Sequence, residues 1–120
     1  MTDVGHHVFH ITERGAFASA LESGAYEAES LDSEGFIHCS TRAQILRSAG
    51  RFFGGKAGLV LLCIDAVRMA PALRYEAADG EAFPHCYAKI PLEAIAAVLD
   101  FPCRPDGSFE LPPELELFPD

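Results

Sequence analysis

The fold is organised around residues 35–44, which read Gly-Phe-Ile-His-Cys-Ser-Thr-Arg-Ala-Gln. The apolar run Phe36–His38 predicts a short strand that ends in a histidine. Thr41 and Gln44 fit a capping box, in which each side chain satisfies a backbone N–H that a helix start leaves without a partner. We therefore expect a strand that leads directly into a helix beginning at Arg42.

Length and composition indicate one compact domain over residues 1–120. The chain has 120 residues, of which 49% are hydrophobic, and this is enough for one core and too short for two domains. Nine basic against eighteen acidic residues give a formal charge of −9, which repels nucleic-acid backbones and anionic membranes. This charge argues against general nucleic-acid binding but leaves room for a local arginine pocket that takes a phosphorylated ligand.

The sequence predicts no membrane or secretion segment. No apolar run approaches the ~20 residues that span a bilayer, and residues 1–7 lack the basic and then apolar order of a signal peptide. We expect a cytoplasmic protein in which residues 1–7 are flexible and residues 112–120 form an acidic tail. The four cysteines contain no C-x-x-C pair, so neither a zinc knuckle nor a redox dithiol motif is predicted.

Hydrophobic patterns predict an α+β domain of short, mainly antiparallel strands with two main helices. The continuous apolar run Leu59–Ile64 is typical of a strand covered on both faces. Pro84 indicates that its own strand is an edge strand or a loop.

Glu13–Ser23 is predicted as a helix with Thr12 as its N-cap and Gly24 as its end. Helical spacing puts Phe17, Ala20 and Leu21 on one apolar helix face, and Ile45, Leu46, Ala49, Phe52 and Phe53 on another. The other predicted elements are a strand at Val8–Ile11, a polar connection over residues 30–35, and strands at Pro71–Glu76, Phe83–Tyr87 and Ala94–Phe101.

Three histidines in apolar, strand-like runs are the candidates for a site: His10, His38 and His85. One such histidine is usually a structural residue, but three in a domain of this size favour a shared pocket. Because alternate residues of a strand share a face, we expect Ser40 beside His38 and Thr12 beside His10.

The predicted helix start next to His38 suggests a place for an anion. Free backbone N–H groups and the positive end of the helix dipole attract phosphate there, at Thr41. The guanidinium groups of Arg42 and Arg74 would add charge-assisted hydrogen bonds. The plainer interpretation is that Arg42 is solvated and that Arg74 pairs with Glu76 or Glu81.

Two chemistries are compatible with the histidines. Three imidazoles that converge on zinc, with a fourth position open to water, would form a hydrolase site, although no H-x-x-x-H spacing supports it. Alternatively, the histidines and an acid such as Glu76 or Glu81 would orient a nucleotide and stabilise a cationic transition state.

Motifs spread from about Val8 to Leu111 resemble an uncharacterised bacterial family known as domain of unknown function 952. The chain departs from the family pattern at Phe17, where a Trp is usual, and at residues 87–90, where Tyr-Gly-Pro-Leu is usual. The motifs are His-Ile-Thr at 10–12, Ser-Leu at 30–31, Glu-Gly-Phe-Ile-His-Cys-Ser at 34–40, Arg-Phe-Phe at 51–53, Leu-Arg-Tyr-Glu at 73–76 and Gly-Glu-x-Phe-Pro-His at 80–85.

The order of elements also resembles the ADP-ribosyltransferase fold. This resemblance implies that NAD is the substrate, that His10 binds its nicotinamide ribose, and that His38 packs on the nicotinamide. Glu76, Glu81 and His85 are candidates for the third catalytic position, and no metal is expected. A non-catalytic module that binds a small ligand or a partner, and a His-ligated metal hydrolase, stay open as alternatives. The expected ligand-binding residues are Thr12, Ser40, Thr41, Arg42 and Arg74.

Overall fold

The central strand of the main sheet is the continuous apolar run of the sequence. The computed structural model describes residues 6–119. In it, strand β4 (Leu59–Asp65) lies between β1 (His7–Glu13) and β8 (Ile95–Asp100), and both neighbours are antiparallel to it. All six side chains from Leu59 to Ile64 are buried. The strand predicted to be covered on both faces is confirmed.

Each face of this sheet covers its own hydrophobic core. Because side chains alternate along a strand, Val60, Leu62 and Ile64 face the first core, while Leu61 and Cys63 face the second. The first core also contains Val8, Tyr26, Ile37, Cys39, Cys86 and Ile90, and the second contains Phe9, Ile45, Ala49, Phe101, Phe109 and Leu115.

Residues 6–119 contain three α-helices: α1 (Arg14–Ser23), α2 (Glu29–Ser33) and α3 (Ile45–Phe53). Helix α1 ends as predicted at Gly24, whose φ of 90° suits glycine and whose N–H donates to the Ala20 carbonyl. The prediction of Thr12 as its N-cap is wrong, because β1 continues through Thr12 and the cap is Glu13. Leu21 is exposed rather than part of the apolar face.

The start of α3 follows the predicted capping box. Gln44 accepts a hydrogen bond from the backbone N–H of Thr41 at 3.0 Å, and a 3-10 turn over Arg42–Gln44 leads into the helix. Ile45 and Ala49 are buried, but Phe52 is 67% exposed, so the apolar face is narrower than predicted. The predicted polar connection over residues 30–35 is also different, since most of it belongs to α2.

A second antiparallel sheet lies against the first core, with strand order β3 (Ile37–His38), β6 (Glu81–Cys86) and β5 (Leu73–Ala78). The strand of Pro84 is therefore central, and the predicted edge position is wrong. The pairing of β3 with β6 stops at His38, just before the position opposite Pro84. The Pro84 carbonyl still accepts a hydrogen bond from the N–H of Cys39, but no ladder bond is lost because proline has no N–H. A small ladder joins β2 (Ala25–Tyr26) to β7 (Ile90–Pro91).

The two ends of the described chain meet. His7 begins β1, and its Nδ1 donates a hydrogen bond to the Pro119 carbonyl at 2.8 Å. The prediction that residues 1–7 are flexible is therefore wrong for His7, which is in the sheet. Residues 1–5 lie outside the described part of the chain. The acidic segment forms a 3-10 turn over Pro113–Leu117 with Leu115 buried. The radius of gyration is 13.6 Å, about that of one compact 120-residue domain. The α+β class is confirmed. Within residues 6–119, no helix is both long and apolar enough to cross a bilayer.

Candidate functional site

The outward side of the sheet β3–β6–β5 carries a cluster of polar and aromatic side chains, which we call the histidine face. Ile37 and Cys86 are buried in the first core, so their strand neighbours His38 and His85, which pair across the two strands, point outward. Arg74 pairs with His85 from the other side, on β5. The histidine face consists of Glu34, Phe36, His38, Arg74, Glu76, His85 and Tyr87.

Glu76 joins the residues of this face. Its Oε1 lies 2.8 Å from Nδ1 of His85 and 2.6 Å from the hydroxyl of Tyr87. Because an ionised carboxylate only accepts, both partners donate to it. The hydrogen bond from Tyr87 lowers the pKa of Glu76 most, the hydrogen bond from His85 lowers it next, and the charge of Arg74 adds to this effect. The hydrogen bond to Glu76 in turn raises the pKa of Tyr87. The face therefore carries a carboxylate that stays ionised.

The His85 ring is held in one orientation and leaves one nitrogen available. It stacks on Phe36 with ring centroids 4.1 Å apart, and only 7% of the residue is exposed. Nδ1 is bonded to Glu76, whereas Nε2 has no hydrogen bond to any residue in 6–119. Every fully buried side-chain nitrogen of the partly or wholly buried residues in 6–119 has a hydrogen-bond partner. Because Nε2 of His85 has none, it must reach the surface. This nitrogen is a candidate general base.

His38 lies next to His85 and is more open. The two ring centroids are 5.5 Å apart, and Nε2 of His38 lies 3.1 Å from the carboxylate of Glu34. About half of each of these two side chains is exposed. Beyond His85, the guanidinium of Arg74 lies 5.2 Å from the Tyr87 ring centroid. The histidine face thus contains two neighbouring histidine–carboxylate pairs flanked by a cation.

His10 lies inside the protein and does not belong to the histidine face. Its Nδ1 donates to the backbone carbonyl of His38 at 2.6 Å. Its Nε2 lies 2.8 Å from the hydroxyl of Tyr26, which lies 2.9 Å from Oγ1 of Thr12. Burial lowers the pKa of His10 to about 4. The ring is therefore neutral, so Tyr26 donates to Nε2 and Thr12 donates to Tyr26.

This buried chain of hydrogen bonds corrects the prediction of a pocket shared by three histidines. His38 and His85 lie together at the surface, while both nitrogens of His10 are occupied inside. The three imidazoles are therefore not arranged around one metal position, and no three His, Cys, Asp or Glu side chains of residues 6–119 form such a group. Sequence reasoning missed Tyr26, because a strand of two residues has no detectable periodicity.

The ligand contacts expected around the helix start have other partners. Ser40 is buried, rather than outward beside His38, and its hydroxyl donates to another serine hydroxyl. Thr41 is occupied by the capping box. Arg42 donates to the carbonyls of Leu115 and Phe118 at 2.8 and 3.2 Å, so its guanidinium fastens the C-terminal segment. Of the expected cations, Arg74 is the one on the histidine face.

The two candidate acids also differ. Glu81 accepts from the side-chain amide of Gln44 at 3.0 Å and pairs with Arg47 at 2.5 Å, so it connects β6 to α3. Glu76 is the candidate that lies on the histidine face. Sequence reasoning did not find Glu34 or Tyr87 as site residues, although Glu34 precedes His38 by four positions and Tyr87 follows His85 by two.

Comparison with known proteins identifies a family and a fold. Residues 11–98 match the model of a family described as Protein of unknown function (DUF952). A comparison with curated proteins finds no match to this chain. The family model covers β1 to β8 in part or in full, and it includes every residue of the histidine face.

Three solved structures that resemble this chain are of one protein, CC0527 from Caulobacter crescentus. Its X-ray structure is 30% identical with a TM-score of 0.83, over 88% of this chain and 95% of that chain. The X-ray structure of its double mutant gives 30% and 0.82 over the same shares, and its solution NMR structure gives 28% and 0.76 over 92% and 95%. These likenesses support the α+β fold. They do not show the ADP-ribosyltransferase resemblance, which stays a prediction.

Proposed function

We propose a function for this chain, which belongs to the family of proteins of unknown function DUF952: it binds NAD or a related nucleotide on the histidine face and transfers ADP-ribose from it. The observation that carries the proposal is the Glu76 carboxylate, which two hydrogen bonds hold ionised beside aromatic rings. A fixed negative charge of this kind stabilises positive charge that develops in a transition state.

The groups around Glu76 suit a nucleotide. Phe36 and Tyr87 offer ring surfaces on which a planar nicotinamide packs. Arg74 contacts the Tyr87 ring and has planar N–H donors that match a phosphate. His38 stands at the open side of the face and packs on the nicotinamide, in keeping with the ADP-ribosyltransferase resemblance.

In the proposed reaction, the bond between ribose C1′ and the nicotinamide nitrogen breaks, and its electron pair leaves with neutral nicotinamide. Glu76 stabilises the positive charge that develops on the ribose ring. The nucleophile of the acceptor bonds to C1′, and its proton passes to Nε2 of His85, whose Nδ1 is held by Glu76. His10 is a positioning residue, because it acts only through its hydrogen bond to the carbonyl of His38.

Incubation with NAD tests binding and reaction together. We expect millimolar NAD to raise the melting temperature and to shift the ring signals of His38 and His85 in NMR spectra. Glu76→Gln should lower nicotinamide release by about 100-fold or more, a typical loss when one charge-stabilising group is removed. Glu93→Gln, which changes an exposed carboxylate before β8, is the matched control and should have no effect. The proposal fails if millimolar NAD, ADP-ribose and nicotinamide leave the melting temperature and both rings unchanged.

A module that binds the same ligand without reaction is the second candidate function. It is favoured by the openness of the face, since the side chains of His38 and Glu34 are 54% and 51% exposed. An enzyme that forms a cationic intermediate usually excludes water from it. Shifted His38 and His85 signals with no nicotinamide released on long incubation would identify this second function.

A further inference from the structure

We propose that a depression beside the histidine face binds the adenosine monophosphate half of the nucleotide; this inference rests on the function proposed above. The depression lies between α3 and the hairpin that joins β5 to β6. Its volume is about 190 Å³. We call it the α3 depression, and its lining includes Arg47, Arg51, Phe52, Asp79, Glu81 and Phe83.

The size of the α3 depression suits one ring system. Pockets that hold a complete small ligand are usually ~300–1,000 Å³, so a depression of about 190 Å³ does not hold a whole dinucleotide. Phe52 lies on its α3 side and is 67% exposed, which leaves its ring accessible. The guanidinium of Arg51 lies 5.4 Å from the centroid of that ring. A base that stacks on the Phe52 ring would cover apolar surface that now faces water.

The charges at the rim match both ends of the adenosine monophosphate. Arg47 pairs with Glu81, and Arg51 pairs with Asp79, so the rim presents two cations and two anions. A guanidinium has five N–H donors, and each ion pair uses only part of them. The remaining donors suit a phosphate, while a carboxylate accepts from the exocyclic amine of adenine.

The α3 depression adjoins the histidine face along β6, since Phe83 belongs to its lining. Phe83 and His85 are two residues apart on β6, so their side chains project from the same side of the strand, ~7 Å apart. Phe83 is also paired with Glu76 on the neighbouring strand. A dinucleotide with its nicotinamide at Glu76 would therefore enter the α3 depression at Phe83, the residue paired with Glu76.

Separate titrations with the two halves of NAD test this placement. The full-length protein is titrated with adenosine monophosphate and, separately, with nicotinamide mononucleotide, and the NMR signals of Phe52, Phe83, His38 and His85 are followed. We expect adenosine monophosphate to shift the two phenylalanine signals and nicotinamide mononucleotide to shift the two histidine signals. Phe52→Ala should weaken adenosine monophosphate binding about tenfold, because it removes the stacking surface. Leu46→Ala, also exposed on α3 but outside the depression, is the control and should not weaken it.

Each result decides the two proposals separately. Shifts at the histidines alone, with no effect of adenosine monophosphate on Phe52 and Phe83, would overturn the α3 depression and leave the proposed function in place. Shifts at the phenylalanines alone would support the α3 depression as an adenosine monophosphate site and overturn the proposed function. Unchanged spectra with both halves would overturn both proposals. If Leu46→Ala weakened adenosine monophosphate binding as much as Phe52→Ala does, the proposal for the α3 depression would be overturned.

Discussion

His10 and His85 are buried to nearly the same degree, yet the structure gives them different chemistry. His10 is 9% exposed and His85 is 7% exposed. Both nitrogens of His10 are bonded within the interior, to a backbone carbonyl and to Tyr26. His85 is bonded through one nitrogen to a surface carboxylate, and its other nitrogen has no partner within residues 6–119. Exposure alone therefore does not separate a structural histidine from an available one, whereas the inventory of hydrogen bonds does.

Truncation of each histidine to alanine should show the largest difference between them, in the free energy of unfolding. His10→Ala leaves the hydroxyl of Tyr26 and the carbonyl of His38 without their partner inside the protein, and it opens a cavity. We expect it to lower the free energy of unfolding by about 3–4 kcal/mol. His85→Ala loses the stacking on Phe36 and the hydrogen bond to Glu76, but Glu76 lies at the surface where water can replace that bond, so the expected cost is smaller, about 1–2 kcal/mol. Urea denaturation of both variants measures the difference, and equal losses would mean that His85 is structural too.

The pH dependence of stability should identify the buried neutral ring. Burial lowers the pKa of His10 to about 4 in the folded protein, whereas an unfolded histidine has a pKa of ~6.5. The unfolded chain therefore binds the extra proton first as the pH falls. His10 should lower the free energy of unfolding by about 2 kcal/mol between pH 7 and pH 5. In His10→Gln this part of the slope should disappear, and a slope unchanged from the parent protein would show that the ring is not held neutral.

The two arginines that were both expected to bind an anion extend the comparison. Arg42 donates to two backbone carbonyls of the C-terminal segment, and Arg74 lies exposed on the histidine face. Arg42→Ala should cost about 1–2 kcal/mol of stability and leave nucleotide binding unchanged. Arg74→Ala should change stability by no more than about 0.5 kcal/mol and weaken binding of ADP-ribose. Thermal melts with and without ADP-ribose separate the two effects, and reversed behaviour would place the anion site at the helix start after all.

Much of the fold could be predicted because some signals are local. The apolar run at Leu59–Ile64, the capping box at Thr41 and the end of α1 at Gly24 each depend on a few neighbouring residues. The central position of Pro84 could not be predicted in this way. It depends on where β3 ends, and that strand is more than forty residues away in the chain.

The site was predictable in part for the same reason. The sequence nominated His38, Arg74, Glu76 and His85, and the structure brings these four together on the histidine face, whereas the prediction from alternation that Ser40 lies beside His38 is wrong. The position of His10 could not be predicted, because it is decided by Tyr26, a residue of a two-residue strand that pairs with β7. Local patterns thus identify which residues alternate, while partners from distant segments decide which of them are available.

The smallest change, Tyr87→Phe, tests whether the histidine face depends on its hydrogen bonds as the interior does. The hydroxyl of Tyr87 makes the largest contribution to the lowered pKa of Glu76, so its loss should raise that pKa toward the ordinary value. Glu76 would then take up a proton at a higher pH, and nucleotide binding would begin to fail at a correspondingly higher pH as the solution is acidified. NMR titration of the Glu76 carboxyl carbon measures the shift. Tyr75→Phe is the control, because Tyr75 precedes Glu76 on β5 and points to the opposite side of the strand. A Glu76 titration that is the same in both variants would mean that the hydrogen bond from Tyr87 does not hold the carboxylate ionised.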